Sequence, residues 1–124
     1  MTKVLVVDDS KAMRMIVIRT LRQAGWGSLQ VTEAANGAEA LEAIRREAPD
    51  LVLCDWNMPE MTGIELLSKL NTEGPKVRFG FVTSEGTDTM RERARQEGAL
   101  FLIAKPFTAD TFGSALTPVL GPAT

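Results

Sequence analysis

The chain has 124 residues, of which 44% are hydrophobic and 24% charged, and a formal net charge of -2. This length fits one globular domain with a substantial core and is too short for two domains. There is no histidine and Cys54 is the single cysteine, so a disulfide within the chain, a Cys/His zinc site and a Ser-His or Cys-His nucleophile pair are excluded. Because the net charge is weakly negative, the protein has no overall positive potential to attract nucleic acid. We therefore expect no direct nucleic-acid binding.

The N-terminus leads straight into a short strand without a long apolar segment, and no later apolar stretch is long enough to span a bilayer. We therefore expect no membrane insertion and a cytoplasmic location. No flexible linker or low-complexity tract interrupts the chain. The composition predicts one domain over residues 1–120, with a frayed tail at 121–124 and no room for an output domain.

The first half of the chain alternates between strand-like and helix-like segments. Residues 4–7 form a continuous apolar run that predicts a strand buried on both faces. From Ser10, a plausible N-cap, to a stop at Gly25, one helical stripe predicts the first helix; its members are Met13, Ile16, Val17, Thr20, Leu21 and Ala24. Residues 29–34 predict a weaker strand. A second helix follows Asn36-Gly37 and ends before Pro49, and its predicted inward residues are Ala40, Leu41, Ile44 and Ala48.

The second half repeats the alternation. Residues 51–54 predict the third strand, residues 58–63 a loop, and the apolar spacing of Ile64, Leu67 and Leu70 a short third helix. Strand four is predicted over residues 76–82, followed by a loosely anchored helix at 87–97 whose apolar stripe is thin. Residues 100–104 predict strand five. The last helix is weakened by Gly113 and Pro118, and its predicted inner face consists of Phe112, Ala115, Leu116 and Val119.

Five successive strand-helix units predict a parallel sheet covered by helices on both sides. The carboxyl ends of its strands meet at one edge, which is where such sheets bind ligands. Residues able to handle a phosphoryl group follow four of the strands: Asp8 and Asp9, Asp55, Thr83, and Lys105. Three clustered carboxylates repel one another and form an all-oxygen site that suits a hard divalent ion such as Mg²⁺.

Each of these signals also has an ordinary structural explanation. Asp8-Asp9 is typical of a turn and helix N-cap, Asp55 before Pro59 of a turn, and a lone Lys-Pro of a loop. Their joint occurrence at adjacent strand ends favours a site. Cys54 is interpreted as a small core hydrophobe, Trp56 as either a packed loop aromatic or a partner contact, and the Arg91, Arg93 and Arg95 cluster as a solvated face rather than an anion-binding patch.

Four segments together resemble the receiver domains of two-component response regulators. They are the run from Val4 to Arg14 with Asp8-Asp9, Asp55-Trp-Asn57-Met-Pro59 with Gly63 behind it, Val82-Thr83-Ser84-Glu85, and Lys105-Pro106-Phe107. The resemblance covers essentially the whole chain and is strongest to single-domain chemotaxis-type regulators. It implies a flavodoxin-like, doubly wound α/β fold with a five-stranded parallel sheet in the order 2-1-3-4-5 and five helices.

The resemblance also implies a role for each site residue. Asp55 would be the phosphoacceptor. The metal, Mg²⁺ with Mn²⁺ as a plausible substitute, would be held by Asp9 directly, by Asp8 directly or through water, by Asp55, and by the backbone carbonyl of Asn57. Phosphoryl binding and switching would involve Thr83, Ser84 and Lys105, dephosphorylation would be tuned by Asn57 and Glu85, and Lys105-Pro106 is a candidate cis peptide.

One position departs from the family pattern. Receivers of this type usually carry Tyr or Phe three residues before the lysine, and the ring turns inward when the threonine moves toward the phosphoryl group. Here Leu102 occupies that position and Phe101 precedes it. Because side chains alternate along a strand, Phe101 should point to the opposite face and cannot replace the aromatic without a bulge or rearrangement.

The predicted function is therefore that of a signalling protein rather than an enzyme, although it would promote its own phosphotransfer and autodephosphorylation. A sensor histidine kinase would donate the phosphoryl group. A downstream protein would bind the face formed by the fourth helix, strand five and the last helix. The protein is expected to be a monomer. Chemotaxis-type signalling is the first interpretation; a phosphate sink, a regulator of an enzyme partner and a phosphorylation-independent binding module are the alternatives. A magnesium-dependent phosphohydrolase is disfavoured because such enzymes usually carry an acid two residues after the nucleophile, where this chain has Asn57. The missing G-x-G-x-x-G argues against dinucleotide binding.

Overall fold

The computed structural model describes residues 2–122, which form five parallel strands alternating with five helices. The strands are β1 (Lys3–Val7), β2 (Gln30–Ala34), β3 (Leu51–Cys54), β4 (Arg78–Thr83) and β5 (Leu102–Ala104). The helices are α1 (Lys11–Gln23), α2 (Gly37–Arg46), α3 (Gly63–Glu73), α4 (Asp88–Gln96) and α5 (Ala109–Leu120). The strands pair in the order β2-β1-β3-β4-β5, which confirms the predicted doubly wound α/β architecture.

Two hydrophobic layers cover the sheet because side chains alternate along each strand. In β1, Val4 and Val6 face the layer closed by α1 and α5, whereas Leu5 and Val7 face the layer closed by α2, α3 and α4. All four side chains are at most 2% exposed. The expectation of a central strand buried on both faces is confirmed.

Two residues predicted on the inner faces of helices are exposed. In α1, Val17, Thr20 and Leu21 are buried, but Ile16 is 40% exposed and does not belong to the inner stripe. Ile16 lies about 100° around the helix from Val17, at the margin of the stripe. In α2, the helix ends at Arg46 and Ala48 is exposed, because a residue before proline is disfavoured in the helical region.

The last helix forms despite its glycine and proline. It runs continuously through Gly113 and Pro118 because Phe112 and Leu116 are completely buried in the sheet layer. Arg78 Nη1 donates to the Val119 carbonyl oxygen at 2.8 Å and so satisfies one of the carbonyls at the helix end.

Strand β4 begins at Arg78, two residues later than predicted.

Strand β5 is shorter than predicted because its start is bulged. Leu100 N donates to Phe79 O at 2.8 Å, and Phe81 N donates to Phe101 O at 3.0 Å. In a regular parallel ladder a single residue would make both bonds, so one extra residue is inserted here. Leu100 is 52% exposed and lies outside the strand.

At the other end of the chain, Gly121 caps α5. The predicted frayed tail includes residues 123 and 124, which lie outside the described residues. Within residues 2–122, every helix is too short or too polar to cross a membrane.

Candidate functional site

Three ladder hydrogen bonds extend the sheet by one residue past the strand ends. Asp8 N donates to Ala34 O at 3.2 Å, Asp55 N donates to Val7 O at 2.9 Å, and Lys105 N donates to Thr83 O at 2.7 Å. The backbone therefore fixes where Asp8, Asp55 and Lys105 leave the sheet. Their side chains meet at the carboxyl edge, as the strand-end pattern predicts.

Asp8, Asp9 and Asp55 form an acidic cluster whose carboxylate oxygens lie within 4.8 Å of one another. Asp8 is 4% exposed and Asp55 8% exposed, whereas Asp9 is exposed to solvent. Burying like charges at this separation is unfavourable without a cation. Because all three ligand atoms are hard oxygens, the cluster can hold a divalent metal ion of the Mg²⁺ type.

Lys105 supplies one positive charge to this cluster. Its Nζ lies 3.3 Å from Asp8 Oδ2 and 3.7 Å from Asp55 Oδ1. Burial is the largest influence on Asp55 and raises the pKa of its carboxyl group; the Lys105 ammonium lowers that pKa, and the charge of Asp8 raises it again. The net pKa of Asp55 is raised, so one ammonium does not compensate for its burial beside Asp8.

Arg14 holds the backbone of the acidic loop, a role that the sequence interpretation missed. Its Nη1 donates to the Asp8 carbonyl oxygen at 2.7 Å and its Nε donates to Glu33 at 2.8 Å. Asp8 Oδ1 accepts a further bond from Ser10 N at 2.9 Å. The available signal was the position of Arg14 in the first turn after the Ser10 cap, from which a helical side chain points back toward the preceding loop.

The β3–α3 loop packs tightly behind the phosphoacceptor candidate. Gly63 N donates to Trp56 O at 2.8 Å, and a Cβ at Gly63 would overlap the Asp55 carbonyl oxygen. Trp56 is only 8% exposed and its ring centroid lies 4.8 Å from that of Phe81. Of the two interpretations of Trp56, a packed loop aromatic or a partner contact, the structure therefore favours the packed aromatic.

Thr83 ends β4 and is completely buried. Its Oγ1 accepts a bond from Glu85 N at 3.3 Å, so the hydroxyl is engaged in the turn of its own loop. Ser84, Glu85 and Asn57 are exposed around the site. Across from Thr83, the peptide bond between Lys105 and Pro106 is cis.

The structure separates Phe101 from Leu102 as strand alternation requires. Phe101 packs in the α1/α5 layer, where its ring covers Gly80; a Cβ at Gly80 would overlap that ring. Leu102 packs on the opposite layer, toward α4. The bulge before β5 does not turn Phe101 to the side of Leu102.

Cys54 and the arginines of α4 match their ordinary interpretations. Cys54 is completely buried in the core, and burial raises the pKa of its thiol well above the usual value. Arg91, Arg93 and Arg95 are exposed, and Arg95 forms an ion pair with Glu92 on its own helix. The thiol is a core group, and all three arginines are exposed to solvent, although Arg91 also donates to the carbonyl oxygens of Gly86 and Leu102.

Comparison with known proteins matches residues 4–117 to the model of the response regulator receiver domain. The chain is 35% identical to sporulation initiation phosphotransferase F of Bacillus subtilis, with 95% of this chain and 93% of that protein covered. It is 38% identical to chemotaxis protein CheY1 of Helicobacter pylori, with 96% and 97% covered. The structure of the chemotaxis response regulator CheY4 of Vibrio cholerae superposes with a TM-score of 0.82 at 34% identity, with 97% of this chain and 99% of that chain covered. The fold, the acidic edge and these similarities agree: the chain belongs to the response regulator receiver domain family.

Proposed function

We propose that this protein is a chemotaxis-type response regulator that accepts a phosphoryl group on Asp55 from a sensor histidine kinase. The observation that carries the proposal is the Asp55 carboxylate, buried at the sheet edge beside Lys105 and two further carboxylates. Receiver domains interact with histidine kinases and downstream targets, which fits a chain with no histidine to donate phosphate itself.

In the transfer step, a carboxylate oxygen of Asp55 attacks the phosphorus atom of the kinase phosphohistidine. A P–O bond forms as the P–N bond breaks, and the imidazole leaves with its electron pair, so Asp55 becomes an acyl phosphate. Lys105 neutralises charge on the phosphoryl oxygens in a partly dehydrated site. The Thr83 hydroxyl and the Ser84 N–H are the proposed donors to those oxygens.

Mg²⁺ fits the donor set of the acidic cluster, with Mn²⁺ as a plausible substitute. Asp8, Asp9 and Asp55 would hold it together with the backbone carbonyl of Asn57. When bound, a divalent ion supplies positive charge that offsets repulsion between the carboxylates and the incoming phosphoryl oxygens. Asp9 is the exposed member of the cluster and is open to an entering ion.

The proposed output is a change in the face formed by α4, β5 and α5, which a downstream protein binds. Thr83 leads through a short loop into α4, and Lys105 directly follows β5, so added charge at the site acts first on these elements. We propose that the protein acts as a monomer in the cytoplasm. The similarity to a sporulation phosphotransferase favours a second candidate, in which the phosphoryl group is passed on or drained rather than read by a target.

The test is phosphorylation of the purified protein with Mg²⁺ and acetyl phosphate, followed by mapping of acid-labile phosphate by mass spectrometry. We expect one phosphoryl group on Asp55, no labelling of Asp55→Asn, and normal labelling of Asp110→Asn, whose carboxylate is exposed on α5. Undiminished labelling of a folded Asp55→Asn protein would show that the nucleophile is a different residue. Sustained turnover of small phosphate esters would instead indicate a phosphohydrolase.

A further inference from the structure

The side chain of Arg91 joins the β4–α4 loop to β5. Its Nε donates to the Gly86 carbonyl oxygen at 3.3 Å, and its Nη1 donates to the Leu102 carbonyl oxygen at 3.1 Å. One planar guanidinium therefore bridges the loop that follows Thr83 and the strand that ends just before Lys105. A rigid fork of this kind fixes the relative position of its two acceptors more closely than a flexible ammonium does.

The packing around this bridge is close. A Cβ built at Gly86 would lie 3.1 Å from Arg91 Nη2, 3.3 Å from Ala104 Cβ and 3.6 Å from Leu102 Cδ2. The space beside the Gly86 Cα is therefore bounded by the Arg91 guanidinium and by two β5 side chains. A displacement of the loop toward β5 at this point must move at least one of these neighbours.

Phe101, just before β5, and Leu102, its first residue, have side chains that do not provide an equivalent polar connection. Phe101 packs on the opposite layer, over Gly80. Leu102 has its Cδ2 methyl group beside Gly86 of the loop and has no side-chain hydrogen-bonding group. The polar link between the loop and β5 at Leu102 is made by the backbone carbonyl of Leu102 and the side chain of Arg91.

We infer that Arg91 is a positioning residue that transmits displacement of the Thr83 loop to β5. The inference rests on the proposed phosphorylation of Asp55. When Thr83 and Ser84 shift toward the phosphoryl oxygens, the Gly86 carbonyl three residues on shifts with them, and the guanidinium carries the shift to the Leu102 carbonyl. The partner-binding face then responds at β5 as well as at α4.

Arg95 provides a matched control. It lies one helical turn further along α4, is exposed, and pairs with Glu92 on the same helix. Arg95→Met therefore removes the same charge and a similar side-chain length without touching the loop or β5. Arg91→Lys keeps the charge but lacks the planar fork that reaches both carbonyls.

The experiment records backbone amide NMR shifts of the full chain with and without Mg²⁺ and beryllium trifluoride, a mimic of the phosphoryl group. In the parent protein and in Arg95→Met, we expect shifts both in the loop at residues 84–86 and at residues 101 and 102, where β5 begins. In Arg91→Met and Arg91→Lys, the loop shifts should remain while those at 101 and 102 fall to less than half. Circular dichroism would establish that all variants are folded.

Full shifts at residues 101 and 102 in Arg91→Met would overturn the inference, as would an equal loss in Arg91→Met and Arg95→Met. These outcomes leave the proposed function standing, because the loop still responds. If the parent protein shows no response in the loop and Asp55 is not labelled by acetyl phosphate, the proposed function fails and the coupling fails with it.

Discussion

At the scale of single residues, the carboxylate of Asp55 combines burial with a like charge nearby. Burial and then the charge of Asp8 raise the pKa of Asp55, and Lys105 offsets this only in part. A raised pKa in the folded state means that protonation of Asp55 favours folding. The resulting stability is present at low pH and is lost as the pH rises through the pKa of the folded state.

Asp55→Asn should therefore be more stable than the parent protein at neutral pH in metal-free buffer. We expect its melting temperature to rise by a few degrees, equivalent to about 1 kcal/mol in a domain of this size. The difference should close as the pH falls below the usual carboxylate pKa of about 3.9. Thermal unfolding across this pH range, with Asp110→Asn as control, measures it; an Asp55→Asn protein less stable at neutral pH contradicts the assigned burial cost.

Glu60 is a second residue whose local conformation lowers the stability of the fold. Its φ of 68° lies in the left-handed region, where a side chain with a Cβ is strained and asparagine is better tolerated. Glu60→Asn should stabilise the fold by up to about 1 kcal/mol in urea unfolding, because asparagine relieves part of the roughly 1–2 kcal/mol cost of the left-handed conformation. Glu60→Gln removes the charge without relieving the backbone, so an equal gain from Gln would show that charge rather than conformation is responsible.

Asn57 and Glu85 are the residues proposed to set the lifetime of the phosphoryl group. Both are exposed beside the site, two residues after Asp55 and Thr83 respectively. Their small or flexible polar side chains should leave water free to reach the acyl phosphate, so we expect a short lifetime. Asn57→Leu and Glu85→Leu should lengthen it by restricting water access. Decay of labelled protein after removal of the phosphodonor measures this; a lifetime of hours that neither change affects would contradict the assignment.

At the scale of elements, the pairing of β4 with β5 depends on a glycine. The Phe101 ring occupies the space that a Cβ at Gly80 would need. Gly80→Ala should lower the free energy of unfolding by about 1–3 kcal/mol, the usual cost of overpacking a core. In the background of Phe101→Leu the same change should cost less, because the smaller side chain leaves room. Chemical unfolding of the two single variants and the double variant gives the coupling, and strictly additive costs would exclude the contact.

Helix α4 is attached mainly through polar contacts. Ala94 is its one buried residue. Arg91 binds Gly86 and Leu102 near its start, and Asn71 Nδ2 of α3 donates to the Glu97 carbonyl oxygen at 2.7 Å at its end. A helix with so little apolar burial opens or shifts at low cost. This agrees with the expected loose anchoring and suits an element proposed to move.

At the scale of the whole molecule, metal binding should be visible as folding stability. An ion that binds only the folded state adds about 2.7 kcal/mol at one hundred times its dissociation constant. Mg²⁺ should therefore raise the melting temperature of the parent protein, and the rise should be greatly reduced in both Asp9→Asn and Asp55→Asn. Asp110→Asn should respond as the parent does. An undiminished rise in Asp9→Asn would place the ion away from the acidic cluster.

The sequence by itself determined the α/β architecture and which residues lie at the carboxyl edge of the sheet. Residues 4–7 and 51–54 are apolar at every position, so they had to be buried on both faces, and the polar residue that follows each run had to emerge at the carboxyl edge. The helix stripes were equally readable at their centres, because an apolar period of 3.6 residues is a local property. The predicted burial was wrong at the margins of the stripes. Packing against neighbours left Ile16 exposed, and the following proline ended α2 before Ala48.

Only the tertiary structure decided which distant groups meet. Arg14 reaches Asp8 and Glu33, and Arg91 reaches Leu102, through long side chains whose partners are set by how the elements pack. The extra residue before β5 depends on hydrogen bonds to β4 that no local period encodes, yet it coincides with Phe101 lying over Gly80. Local patterning fixes which face of an element is buried, whereas the bonds at its ends depend on the free energy of the assembled chain.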